Sequence, residues 1–359
     1  MTDSIDFADS TDPTLLPHAY GAPRVRGRLR TTPEDFQVRE ELNFTLDGSG
    51  EHLWLWVRKR GANTDWVARQ LARQAGVPVG AVSYAGLKDR HAVTEQWFSV
   101  HLPGKTDPDW SADPDGEFTI LQTLRHSRKL RRGALCGNAF RIVVRELDGD
   151  LDALNARFQH IAIAGVPNYF GVQRFGREAA NLERAAAMLE GREKVRDRHR
   201  QSLYLSAARS ALFNAVLARR VREGSWNQAL PGEVLMLADS HSIFTSEDPD
   251  ETITQRVAAF DLHPTGPLWG AGTLSSVGVA QELETEVAAT QPIFRDGLAA
   301  AGLKQERRAL RLMVRDATLE WLESDVAVLD FRLPAGAYAT VVLREWIESL
   351  DHSDQTPSS

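Results

Sequence analysis

One cysteine, Cys136, in 359 residues leaves nothing from which to build a disulfide framework or a multi-cysteine metal site, and fits a reducing compartment. No apolar run approaches the roughly 18 residues that a membrane span requires. The opening stretch, MTDSIDFADSTDP, is acidic and lacks an apolar core, so it does not read as a signal peptide, and the cytoplasm is the expected location. Motifs for borrowed chemistry are missing too. There is no G-x-x-x-x-G-K-[ST] phosphate loop, no H-E-x-x-H, no P-C-x-x-C and no G-x-S-x-G elbow. Gly270-Ala-Gly272 lacks the third glycine of a dinucleotide fingerprint. His91, His101, His126 and His199 do not share metal-ligand spacing. The expectation is a protein without metal or cofactor.

What is present is core-forming material. Hydrophobic residues make up 42% of the chain, with 14 Phe and 9 Trp, enough for one large or two medium domains. The net charge of −7 argues against a nucleic-acid partner only if the charge is evenly spread. It is not. Residues 125–145, RHSRKLRRGALCGNAFRIVVR, contain no acid, and residues 192–200, REKVRDRHR, are basic with two interruptions. Each block is either a solvated face or a track for phosphates. Arg128, Lys129, Arg131 and Arg132 are the candidate backbone contacts.

Hydrophobic periodicity changes along the chain. FQVREEL alternates Phe36 and Val38 with polar neighbours, as a half-buried strand does, and EHLWLWVRK predicts a strand covered on both faces. Asn63 or Thr64 is expected to cap a helix carrying Val67, Leu71 and Ala75 and closed by Gly76. AVSYA, EQWFSVHL, FTILQTL and FRIVVREL predict further strands. From about residue 151 helices dominate: LDALNARFQHIAIAG, EAANLERAAAMLEG, the long SLYLSAARSALFNAVLARRVREG, TITQRVAAF and PIFRDGLAAAGL, with a strand at PGEVLML. From Arg307 strands resume through RALRLMVRDATLEWL and AVLDFRL, before a short helix in PAGAYATVVLREW. This order predicts an α+β protein whose helical middle is inserted into a sheet domain. Residues 1–19 and 351–359 are expected to be flexible ends.

Between two predicted strands lies GLKDRHAVTEQWF, residues 86–98, with Asp89 flanked by Lys88 and Arg90. An aspartate in such a loop can simply accept backbone N–H groups and pair with its neighbours at the surface. It can also serve as a nucleophile, because adjacent cations favour the charged carboxylate while burial opposes it. The local residues leave both readings open.

Five longer stretches narrow the choice. GLKDRHAVTEQWFSV, KLRRGALCGNAFRIVVRE, GVPNYFGVQRFGREAANLERA, SLYLSAARSALFNAVL and FRLPAGAYATVVLRE together resemble the TruD family of tRNA pseudouridine synthases, from PEDFQV at 33–38 to VVLREW at 341–346. The resemblance implies isomerisation of uridine to pseudouridine at position 13 of transfer RNA. It implies a V-shaped α+β molecule: a pseudouridine-synthase-like mixed or antiparallel sheet domain at 20–163 and 307–350, and an inserted helix-rich TRUD domain at 164–306. By position it makes Asp89 the catalytic carboxylate. It puts Phe36, Asn138, Phe140 and Phe331 in the substrate pocket, with Phe140 where other pseudouridine synthases usually carry tyrosine. Arg30 stands where the family often has lysine, which keeps the charge but replaces a point charge with a planar fork. Transfer RNA is the implied partner, with no membrane and no obligate protein partner.

The reaction accounts for these residue types. One glycosidic bond breaks at N1, the uracil turns in place, and a carbon–carbon bond forms at C5, so nothing is oxidised and no group is carried away. The base must leave its stack to be reached. Aromatic walls and an amide that both donates and accepts suit a flipped uracil. Two rivals use the same features. A glycoside hydrolase would pair Asp89 with Glu95, and an RNA-binding protein or chaperone would work without Asp89.

Overall fold

The computed structural model describes residues 15–110, 116–131, 133–176 and 179–350. Arg132, residues 1–14 of the expected flexible N-terminal end and all of the expected C-terminal end, 351–359, lie outside the described residues. The first stretch is strand-rich: β1 (Val25–Arg28), β2 (Phe36–Glu41), β3 (His52–Arg60), α1 (Thr64–Gln74), β4 (Val82–Tyr84), β5 (Val93–His101), β6 (Phe118–His126) and β7 (Gly137–Gly149). Helices then dominate: α2 (Leu151–Ala164), the short β8 (Val166–Pro167), α3 (Ala180–Leu189), α4 (Arg198–Arg222), β9 (Glu233–Leu237), β10 (Ile243–Ser246), α5 (Glu251–Ala258) and β11 (Leu262–Leu268). The chain continues through α6 (Gly278–Ala289), α7 (Pro292–Ala300), β12 (Glu306–Ala309) and β13 (Arg311–Leu312). It ends with β14 (Arg315–Glu323), β15 (Val326–Pro334), α8 (Ala339–Trp346) and β16 (Glu348–Ser349). The α+β class expected from the sequence is what forms, around a mixed sheet.

The chain divides into two compact units. One comprises Pro23–Ala162, Val314–Gly336 and the chain from Trp346 onward. Its sheet runs β14-β15-β7-β2-β5-β3-β6, with β4 beside β5, β1 beside β7 and β16 beside β1. The β2–β5 and β1–β16 pairs are parallel and the others antiparallel. Because side chains alternate across a strand, the register fixes which residues share a face. Phe331 lies opposite Phe140, Phe140 opposite Val38, Phe36 opposite Ile142, and Asn138 opposite both Glu40 and Leu333. Val38 pairs with Thr94, and Thr94 with Lys59. All of these therefore share one face. On the same face Leu53, Leu55 and Val57 of β3, with Phe98 and Val100 of β5, form a core with Val67 and Leu71 of α1.

The other unit comprises Ile163–Met313 and Ala337–Glu345, with the segment up to Ala22. Its axis is α4, 25 residues long, with Ala207, Ala208, Ala211, Ala215 and Ala218 all buried. Small residues on several sides let neighbours approach closely, and α3, α6, α7 and β11 pack around it. A four-stranded sheet, β10-β9-β11-β12, completes the unit with the β8–β13 pair. Two buried ion pairs cross it, Arg220–Glu233 at 2.8 Å and Arg307–Glu284 at 2.6 Å. Among the described residues no helix is long and apolar enough to cross a membrane.

Candidate active site around Asp89

The link between β4 and β5 leaves the sheet at Ala85 and returns at Ala92, and Asp89 stands near its middle. Buried polar groups on four elements, β2, β3, α1 and β5, hold it. Thr64, at the start of α1, accepts the Lys88 N–H at 3.0 Å and donates to Gln96 Oε1 at 3.0 Å. Gln96 Nε2 donates to the carbonyl of Gly86 at 3.3 Å. Thr64 was one of two expected caps for α1. Its hydroxyl bonds the loop instead, and Asn63, which does occupy the cap position, makes no side-chain cap bond.

The two cations flanking Asp89 turn back onto the protein. Lys88 Nζ lies 2.8 Å from Glu40 Oε1, with both side chains nearly or wholly buried. The second Glu40 oxygen accepts the Trp97 N–H at 2.9 Å. Burial pushes the Glu40 carboxyl above its ordinary range, and Lys88 opposes that shift. Arg90 Nε donates to the carbonyl of Gly61 at 3.1 Å. The Asp89 side chain remains 45% exposed, and its Oδ2 accepts from Arg30 Nη2 at 3.0 Å. Its nearest charge is thus Arg30, fifty-nine residues earlier in the chain.

Arg30 is held in a way a lysine could not copy. Its guanidinium lies over the Phe36 ring, 4.1 Å from the centroid, while one arm reaches Asp89. Its φ of 54° is left-handed, a conformation that costs a side-chain-bearing residue roughly 1–2 kcal/mol. Strain of that kind gathers where surrounding structure must aim a group.

From Phe36 a row of rings crosses the sheet. Phe36 meets Phe140 edge-on at 6.5 Å, and Phe140 stacks on Phe331 at 5.2 Å. Phe331 meets Trp346 edge-on, and Trp346 stacks on Phe158 of α2. Asn138 sits one pleat from Phe140 on the same face, and its Oδ1 is buried with no hydrogen-bond partner among the described residues. A buried unsatisfied acceptor costs about 1–3 kcal/mol, so it is a place where an N–H of a ligand gains most. The structure therefore joins Asp89, Arg30, Phe36, Phe140 and Phe331 by direct contacts, and puts Asn138 on their face.

The basic block at 125–145 divides. Arg125 pairs with Asp107, Arg141 with Asp330 and Arg145 with Asp35. Arg128, Lys129 and Arg131 are exposed. Glu95 faces the opposite side of the sheet from Asn138 and Phe140, 2.7 Å from Arg58, in a concavity of about 610 Å³ that Arg39, Arg60 and Asp330 also line.

Comparison with known proteins decides the family. The sequence profile of tRNA pseudouridine synthase D (TruD) matches residues 16–193 and 183–346. A tRNA pseudouridine synthase D from Methylococcus capsulatus is 51% identical over 333 residues, covering 93% of this chain and 94% of the relative. One from Hydrogenovibrio crunogenus is 48% identical over 341 residues, covering 94% and 98%. The chain belongs to the TruD family. A crystal structure from Methanosarcina mazei, described as a TruD, shares the fold with a TM-score of 0.71 over 92% of this chain and 95% of that one, at 24% identity.

The sequence alone does not mark Glu40, Lys59, Thr64 and Gln96 as supports of the Asp89 loop. The signal was available for two of them. Lys59 continues the inward series Leu53, Leu55, Val57, and Glu40 continues Phe36, Val38. A charge at an inward position of an alternating strand needs a partner.

Proposed function

We propose that Asp89 is the catalytic carboxylate with which this TruD-family enzyme isomerises uridine to pseudouridine, at position 13 of transfer RNA. One observation carries the reading: a well-exposed carboxylate, paired with an arginine that lies over the first ring of an aromatic row. The target uridine is flipped from its stack onto the Phe36, Phe140 and Phe331 face. Asn138 Oδ1 accepts from the uracil edge. The Asp89 carboxylate either attacks C1′ or takes a sugar proton, and both routes begin from an ionised oxygen within reach of solvent and sugar. N1 leaves C1′, the base turns, and C5 bonds to C1′ as the Asp89 oxygen departs from it, or as Asp89 returns the sugar proton; the C5 proton is then lost as N1 gains one. The product has the substrate's mass, so the reaction calls for no oxidant and no cofactor.

Residues 164–306 are proposed as the family's inserted domain, within a catalytic domain of 20–163 and 307–350. The compact unit containing Ile163–Met313 supports the inserted part, although that unit also takes in residues 307–313 and Ala337–Glu345, which this division gives to the catalytic domain. Arg128, Lys129 and Arg131 are proposed to meet phosphates, with Arg132 beside them in sequence. The cytoplasm, where transfer RNA is matured, is the proposed location. The hydrolase reading is disfavoured, since Glu95 faces away from the Asp89 side and is held by Arg58.

The test is to incubate the purified protein with a uridine-13 transfer RNA transcript and map the product chemically. Pseudouridine at that position, in RNA of unchanged mass, supports the reading. Free uracil with an abasic site, or conversion only at another position, rejects it.

A further inference from the structure

Lys59 occupies a place in β3 where the alternation calls for an apolar side chain, and it is 0% exposed. Removing an ammonium from water is costly unless other groups replace the hydration. Among the described residues Lys59 makes no ion pair. Its three N–H groups instead face three main-chain carbonyls: Ala62 at 2.9 Å, Asp89 at 2.9 Å and Lys88 at 3.5 Å. The charged groups about it are Asp89 and Lys88 on the loop, with Arg30 and Glu40 behind them. Opposite it in register, β5 presents Thr94 and β6 presents Phe118, neither charged.

We propose that Lys59 is a positioning residue for the isomerisation, whose ammonium clamps the main chain at Lys88 and Asp89 and so fixes where the Asp89 carboxylate stands. The inference rests on the assignment of Asp89 made above. The geometry is specific: Arg30 steers the side chain from one side, and Lys59 holds the same residue's backbone from beneath. A purely structural occupant of this strand position would be apolar, as Leu53, Leu55 and Val57 are. Three carbonyls converge at Lys59, and an apolar side chain there would offer them no donor.

A pH signature follows. Burial pushes the Lys59 pKa down to about 8, with Asp89 opposing the shift and Lys88 adding to it. The neutral amine has two N–H donors for three carbonyls and no charge beneath Asp89. Conversion should therefore fall as pH rises through about 8. Stability moves the other way. The folded pKa lies below the unfolded value of about 10.4, so between those two values the unfolded chain binds more protons. The Lys59 contribution to folding stability then increases with pH across that window. An alkaline loss of rate arising at Lys59 is thus not an unfolding effect of the same group.

The experiment measures single-turnover conversion of transfer RNA transcript from about pH 6 to about pH 9.5, for the wild type, Lys59→Met and Lys59→Gln. Transfer RNA binding and thermal melting are recorded on the same preparations. The wild type should lose rate above about pH 8. Lys59→Met should be at least about tenfold slower at neutral pH and without that alkaline limb, with RNA binding changed by less than about twofold. Lys59→Gln, which donates without titrating, should be intermediate and equally flat, and it carries the test if the methionine variant does not fold. A wild-type rate that stays level to about pH 9, or a folded variant with wild-type rate or an unaltered limb, overturns the inference. Asp89→Asn is run beside them. If it stays active, the Asp89 reading itself falls. If it is inactive while Lys59→Met is unimpaired, only the Lys59 inference falls.

Discussion

Lys88 stands between a residue that must stay in water and one that has been taken out of it. Its side chain points away from Asp89 and into the sheet, where it meets the buried Glu40. Truncating one partner of such a pair leaves the other charge uncompensated, a loss of about 3–5 kcal/mol. Lys88→Met should therefore cost about that much in denaturant unfolding, and adding Glu40→Gln should restore much of it. A cost below about 1 kcal/mol would mean that the pair is as weak as an exposed one. At this scale the sequence was partly legible. The Asp89 loop and its basic neighbours were visible, and so were the motif phenylalanines. What could not be read was direction: nothing local says that Lys88 and Arg90 turn inward or back, or that the partner of Asp89 is Arg30. Those contacts depend on strand register, which a loop sequence does not contain.

Strands with clean alternation were foreseeable, and β2, β3, β5 and β7 formed where the pattern called for them. Two misses have physical reasons. β11 carries Pro264 and Pro267, which argue against a strand; yet Leu262–Pro264 pair only with β9 and Thr265–Leu268 only with β12, so each half behaves as an edge, where proline is tolerated. α6 escaped notice because one inward position is Glu284, an acid made acceptable by its buried pair with Arg307. Register also makes a prediction at Gly137, which opens β7 beside Asn138. A Cβ there would come within 2.5 Å of the Leu333 carbonyl oxygen, too close for any rotamer to relieve. Gly137→Ala should force β7 and β15 apart at the pocket, costing about 1–3 kcal/mol of stability and lowering the conversion rate. Unchanged melting and rate would show that the strand end can shift freely.

For the molecule as a whole, a net charge of −7 must be reconciled with binding a polyanion. Distribution does this. Arg125, Arg141 and Arg145 are already paired within the fold, whereas Arg128, Lys129 and Arg131 are exposed on the stretch between β6 and β7. If each meets a phosphate, replacing all three by Gln should flatten the log–log salt dependence of RNA binding by about 2 units and weaken many RNAs alike. An unchanged slope would mark the stretch as merely solvated. Binding and chemistry are thereby divided between different residues, and this division is open to test. Asp89→Asn tests it most directly, in single-turnover conversion at saturating enzyme with transfer RNA binding and thermal melting measured on the same preparation. The expected result is a folded protein that binds transfer RNA as the wild type does and forms no detectable pseudouridine. A folded Asp89→Asn protein that binds and still converts at more than about a tenth of the wild-type rate, a barrier change of only ~1.4 kcal/mol, would contradict it.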